Sequence, residues 1–277
     1  MDKLNKFGYN VTSQHGEDGI IQYILSNVDG IPKTCVEFGA WDGKFLSNTF
    51  SLWHDQNWKG ILIEGDKQRC DEIKEKYSKF KIQIFNQFIT PSGENNIDSL
   101  FKNNNIDYNI GVMSIDISSY DYHIWKNMKY LNPYIVIIEH NHTIPGYIDY
   151  HDPEGEVFML CSAKALESLG KTKNYKLICC TLTNSIFIKD SLFDDKIFPD
   201  MPVEYLFDYS GCTTPVLSAN SGIGNNLIPI FWGIPPKSQK AFFLLKNQIL
   251  SVLRRKQYKM PSRKVLDEIK EAGLNIY

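Results

Sequence analysis

The chain has 277 residues, long for one domain of about 100–200 residues and short for three. Hydrophobic residues make up 43% and charged residues 22%, a balance that builds an ordinary core and excludes a disordered chain. With 30 basic against 32 acidic residues the formal charge is −2, so a general attraction to nucleic acid or anionic lipid is excluded.

No stretch reaches the roughly 20 apolar residues of a membrane span, and the N-terminal MDKLNKFGYN lacks the apolar centre of a signal peptide. The expectation is a cytoplasmic protein with no membrane span. Cys35, Cys70, Cys161, Cys179, Cys180 and Cys212 show no C-x-x-C spacing; they read as reduced, buried thiols and not as a zinc or redox motif.

Residues 13–28 place Ile20, Ile21, Ile24, Leu25 and Val28 at helical spacing behind Ser13, a candidate N-cap. Gly30 and Pro32 end that helix, and TCVEFG at 34–39 reads as a buried strand entering the turn GAWDG. The alternation continues with a strand at 60–66, a helix at 71–77, strands at 81–85 and 110–116, a helix at 120–128 and the apolar strand YIVIIEHN at 134–141. After a Pro/Gly/His/Asp-rich excursion at 143–156, a helix at 162–173 leads to KLICCTL and SIFIKD, separated by too few residues for a crossover helix. These two strands should form an antiparallel hairpin. The whole predicts a doubly wound, seven-stranded, mostly parallel α/β sheet with an antiparallel terminal hairpin, the topology of class I methyltransferases. Three segments are expected: a core at 1–190, a loop-rich insertion at 191–236 over the substrate site, and an amphipathic helix with a basic tail at 237–277.

Glu37 sits near the end of the first strand, where a carboxylate suits an amino group, and Gly39 and Gly43 let the chain turn close to a ligand. Glu64, at the end of the second strand, stands where nucleotide folds hold a ribose diol. The G-x-x-x-G spacing lacks the middle glycine that admits a pyrophosphate. A cofactor with a ribose and no phosphate, S-adenosylmethionine, fits better than a nicotinamide dinucleotide. At the carboxyl edge, Asp116 ends the fourth strand, and Glu139, His140 and Asn141 end the fifth. Mixed oxygen and imidazole ligands suit Mn²⁺ or Mg²⁺. Glu139, Asp121 and His142 are candidate proton acceptors, and Trp41 and Tyr209 are candidates for stacking on an acceptor. His15 and His151 read as ordinary polar residues.

SQHGEDGI, VEFGAWDGKFLSNT, KGILIEGD, SIDISSYDYHIWK, VIIEHN and SLGKTKNYKLICCTLTNSIFI, in that order over residues 13–190, resemble the FkbM-like group of S-adenosylmethionine-dependent methyltransferases. The resemblance implies that Glu37, Gly39, Ala40, Gly43 and Glu64 contact the cofactor, with Gln14 and Asn48 at its edge and Gln87 on the adenine side. ISSYDY departs from the glycine and asparagine that follow Asp-Ile-Asp in the commoner form, which leaves Ser118 without an inherited role. EHNHTIPG is similar to the fifth-strand end of catechol O-methyltransferases, which implies a metal held by Asp116, His140 and Asn141. The resulting expectation is a metal-dependent O-methyltransferase acting on a small-molecule acceptor, a sugar or nucleotide-linked sugar, with no nucleic-acid partner and with homo-oligomerisation left open. The alternatives are a nicotinamide-dependent oxidoreductase and a degenerate nucleotide-binding module.

Overall fold

The structure is a computed structural model and describes residues 3–212. Seven strands, β1 (Thr34–Phe38), β2 (Lys59–Glu64), β3 (Ile82–Asn86), β4 (Val112–Ile115), β5 (Ile135–Glu139), β6 (Tyr175–Cys180) and β7 (Asn184–Lys189), form one sheet in the order β3-β2-β1-β4-β5-β7-β6. β1 to β5 are parallel, and β7 runs antiparallel to both β5 and β6. This is the doubly wound, mostly parallel arrangement expected from the sequence, with its antiparallel terminal hairpin. Only Thr181, Leu182 and Thr183 join β6 to β7, and Thr181 closes that turn by donating its N–H to the Asn184 carbonyl at 2.8 Å.

The continuous apolar runs become the strands buried on both faces, β4 along its whole length and β1 and β5 along all but one residue. Helices α1 (Glu17–Asn27), α2 (Lys67–Lys76), α3 (Ile97–Asn103), α4 (Asp121–Asn127) and α5 (Ala163–Thr172) accompany the sheet, and a single turn, α6 (Val203–Leu206), follows it. Ile20, Ile21 and Ile24 of α1 enter the same core as Val112 and Ile135. Ser13 does not cap α1. The helix begins behind Gly16, which is left-handed at φ +94°, and Ser13 instead exchanges hydrogen bonds with Asp18 at 2.8 and 3.0 Å. None of the six cysteines forms a disulfide.

The chain divides into two compact units, Met1–Asn141 with Gly146–Asp208, and His142–Pro145 with Tyr209–Tyr277. Every strand and helix above belongs to the first. In the second, Tyr209–Gly211 makes one 3-10 turn and the Cys212 thiol donates to the His142 carbonyl at 3.3 Å. Residues 213–236 of the expected insertion and the helix and basic tail expected at 237–277 lie outside the described residues. Among the described residues no helix is long and apolar enough to cross a membrane.

Candidate functional site

In an open parallel sheet a ligand crevice forms where the strand order reverses, at the carboxyl ends. Here the reversal lies between β1 and β4. A cavity of about 630 Å³ opens there, lined from β1 and its turn by Glu37, Gly39, Ala40 and Trp41, from β2 and β3 by Glu64 and Gln87, and from β4 by Ser114, Asp116 and Ser118. Its volume is that of a site for a drug-sized ligand.

The turn after β1 is shaped by backbone geometry. Gly39 is left-handed at φ +66° and lies so close to the Asp116 carbonyl that a Cβ would collide with it. Gly43, at φ +79°, closes the turn by donating to the Ala40 carbonyl at 2.7 Å and does not itself line the cavity. Trp41, Leu46 and Ser118 are non-glycine residues at φ +50°, +55° and +51°, and all three line the cavity. Such strain persists where the surroundings impose it, commonly at ligand sites.

Glu64 fastens this turn to the end of β2. It accepts the Trp41 N–H at 2.8 Å on one carboxylate oxygen and the Asp66 N–H at 2.9 Å on the other. Each oxygen keeps a lone pair for a ligand hydroxyl. The Trp41 ring packs under the Arg69 guanidinium, 3.1 Å from its centroid, so this aromatic already has one face covered. Glu37 is buried and accepts from the Ser47 hydroxyl at 2.6 Å, the Asn48 N–H at 2.9 Å and the Thr49 hydroxyl at 2.8 Å. Burial pushes its carboxyl up to about 7, with these three donors opposing the rise. Asn48 is tied down in turn by its amide, which donates to the Ser114 hydroxyl at 3.1 Å. Of the expected cofactor set, Glu37, Gly39, Ala40, Asn48, Glu64 and Gln87 line the cavity, whereas Gln14 is exposed outside it.

Asp116 follows β4 and Glu139 ends β5, and the two carboxyls lie near enough for the charge of Asp116 to act on Glu139. Burial, then the Asp116 and Asp121 charges, push Glu139 up to about 8. Burial raises Asp116 as well, and the Glu17 charge adds to the rise. Burial and a neighbouring like charge both favour the protonated carboxyl here. Asp116 faces the cavity and Glu139 stands behind it. Asp121 is not placed as a base. Its buried carboxylate accepts the Ile117 and Ser119 amides at 2.9 Å each, which fixes the loop carrying Ser118. His142 and Tyr209 belong to the second unit.

The residues expected to hold a cation have protein partners of their own. His140 is 1% exposed, its Nδ1 pairs with the Ser185 hydroxyl at 3.1 Å, and the Asn141 amide donates to the Met159 carbonyl at 3.0 Å. Among the described residues no group of three His, Cys, Asp or Glu side chains is placed to share a metal ion, and Mn²⁺ or Mg²⁺ asks for several convergent ligands. Calorimetric titration with Mn²⁺ should show no stoichiometric site, and chelator treatment should leave cofactor affinity unchanged; a one-to-one Mn²⁺ isotherm lost in Asp116→Ala would contradict this.

The sequence gives no signal for three further features. Ser47 and Thr49, at the end of the motif VEFGAWDGKFLSNT, brace Glu37 through their hydroxyls. Phe88, 76% exposed after β3, lies so close to Gly65 that a Cβ there would strike its ring. Ser118, left without a role by the sequence, lines the cavity in a left-handed backbone conformation.

No protein-family model matches the sequence, and no curated protein matches it. Among solved structures, the chain is similar to a SAM-dependent methyltransferase from Aquifex aeolicus, at 12% identity and a TM-score of 0.36 over 62% of this chain and 88% of that one. It is similar to an S-adenosylmethionine-dependent methyltransferase from Clostridium acetobutylicum, at 10% identity and a TM-score of 0.39 over 62% and 90%. A third is SAM-bound CalS10, an amino pentose methyltransferase from Micromonospora echinaspora, at 7% identity and a TM-score of 0.41 over 65% and 92%. These are likenesses of fold, and the reading of function rests on the cavity.

Proposed function

We propose that this chain is an S-adenosylmethionine-dependent O-methyltransferase of a hydroxylated small molecule. One observation carries the reading: among the described residues, the cavity at the sheet's switch point is lined by the carboxylates Glu37, Glu64 and Asp116 and by no Lys, Arg or His. That lining suits a ligand with cationic centres and a ribose, and it repels the pyrophosphate of a nicotinamide dinucleotide. Glu64 offers acceptor sites to a ribose diol and Glu37 offers one to an amino group, while Gly39 and Ala40 let the backbone come close.

When bound, S-adenosylmethionine supplies an electrophilic methyl group. The protein's part is to hold the acceptor hydroxyl in line and to take its proton. Asp116, lining the cavity with its proton affinity raised by burial, is a fitting base near neutral pH. No step is assigned to a metal.

A sugar or nucleotide-linked sugar is the acceptor class implied by the resemblance to the FkbM-like group. Incubation with methyl-tritiated S-adenosylmethionine and a panel of free and nucleotide-linked sugars tests it. Alkali-stable label on a sugar, as in a methyl ether, is expected. Label released as methanol by base, label on nitrogen, or no label on any sugar would overturn this acceptor class.

A further inference from the structure

We propose that Ser47 and Thr49 are positioning residues that keep the Glu37 carboxylate ionised and aimed at the cofactor's amino group, so that cofactor affinity rises as Glu37 ionises. The proposal rests on the S-adenosylmethionine reading of the cavity. A carboxylate offers about four acceptor sites. On Glu37, the Ser47 and Thr49 hydroxyls take two sites on one oxygen, and the Asn48 N–H takes one on the other. One site remains, on a side chain that lines the cavity.

Glu37 is 4% exposed, Ser47 4% and Thr49 0%. A carboxylate this deep is costly to ionise unless it is paired or hydrogen-bonded. Among the described residues, the titratable groups facing it are the Cys35 thiol on its own strand and Asp116 from the end of β4, and no cation opposes its charge. Three donors from one short loop are therefore what favours the carboxylate, and the missing positive partner is the ammonium group of the ligand. Ser47 also accepts the Thr49 and Phe50 amides at 3.2 and 2.9 Å, which gives it a share in the loop itself. Thr49 is the cleaner probe.

The test compares S-adenosylhomocysteine with 5′-methylthioadenosine, which keeps the nucleoside and the thioether and lacks the amino-acid end. Calorimetry on wild type, Thr49→Val and Thr49→Ser between about pH 6 and 8 brackets the titration of Glu37. Thr49→Val should lower S-adenosylhomocysteine affinity about tenfold at pH 7, move the rise of affinity to higher pH, and leave 5′-methylthioadenosine within about twofold. Thr49→Ser should restore both the affinity and the pH profile. Equal weakening of both ligands would mean a structural role only and overturn the proposal, as would an unchanged S-adenosylhomocysteine profile. Should Thr49→Val not fold, Ser47→Ala takes its place in the same comparison. Wild type binding neither nucleoside at any pH would instead overturn the underlying cofactor reading.

Discussion

Replacing Glu64 by Ala is expected to weaken S-adenosylhomocysteine binding by about 1–3 kcal/mol, the cost of losing hydrogen bonds to a charged acceptor. The loss comes in two parts. The ribose diol loses its acceptor, and the turn after β1 loses the anchor that accepts the Trp41 N–H at 2.8 Å. Trp41 holds a left-handed backbone at φ +50°, which needs such outside support. Glu64→Gln keeps one acceptor oxygen and should fall between wild type and Ala. The folded state should persist in both variants, because the carboxylate sits at a strand end and not in the core. Calorimetry with a parallel melting curve checks this; wild-type affinity in Glu64→Ala would move the ribose elsewhere.

Glu139→Gln is expected to be more stable than wild type at pH 8 and nearly equal to it at pH 4. The native state holds the Glu139 proton up to about 8 because of burial and the neighbouring Asp116 and Asp121, whereas the unfolded chain releases it near pH 4.3. The stability this carboxyl contributes is full below that unfolded value and is lost as pH rises through the native one. Gln cannot ionise, so the variant escapes the loss. The difference at pH 8 should be on the order of a few kcal/mol, read from urea denaturation at several pH values. Parallel stability curves for the two proteins would show that Glu139 does not carry the shifted proton. Should methyl transfer to an identified acceptor also fall in this variant, the same carboxyl serves stability poorly and catalysis well.

Much of the sheet is legible in the sequence because parallel strands covered on both faces write themselves as unbroken apolar runs, as IVIIE does in β5. The hairpin is legible from its short link. Helix α3 is not, because IDSLFKN follows PSGENN and shows only Ile97, Leu100 and Phe101 as its buried face; what starts it is the Asn96 side chain accepting the Ser99 N–H at 2.8 Å. Ser13 looks like a helix cap, yet it stands three residues before Gly16, the N-cap of α1, and its hydroxyl reaches the helix's first turn only by accepting the Asp18 N–H.

The same distinction runs through the site. Glu37 and Glu64 are visible because strand ends at the switch point are where ligands bind. The hydroxyls of Ser47 and Thr49 are not, since nothing in their spacing says that they fold back onto a carboxylate 10 and 12 residues earlier. Asp121 and His140 show the limit of such reading. Their side chains have the right chemistry for a base and a ligand, and only the fold shows the carboxylate held by amides and the ring paired with Ser185.

The central claim is that the carboxylate-lined cavity is built for a cationic nucleoside cofactor and against a phosphate-bearing one. Calorimetric titration of the full chain with S-adenosylhomocysteine and, separately, with NAD tests it most directly. The account predicts a one-to-one isotherm for S-adenosylhomocysteine, weakened by Glu64→Ala, and no isotherm for NAD; a tighter isotherm for NAD, or none for S-adenosylhomocysteine, would contradict it.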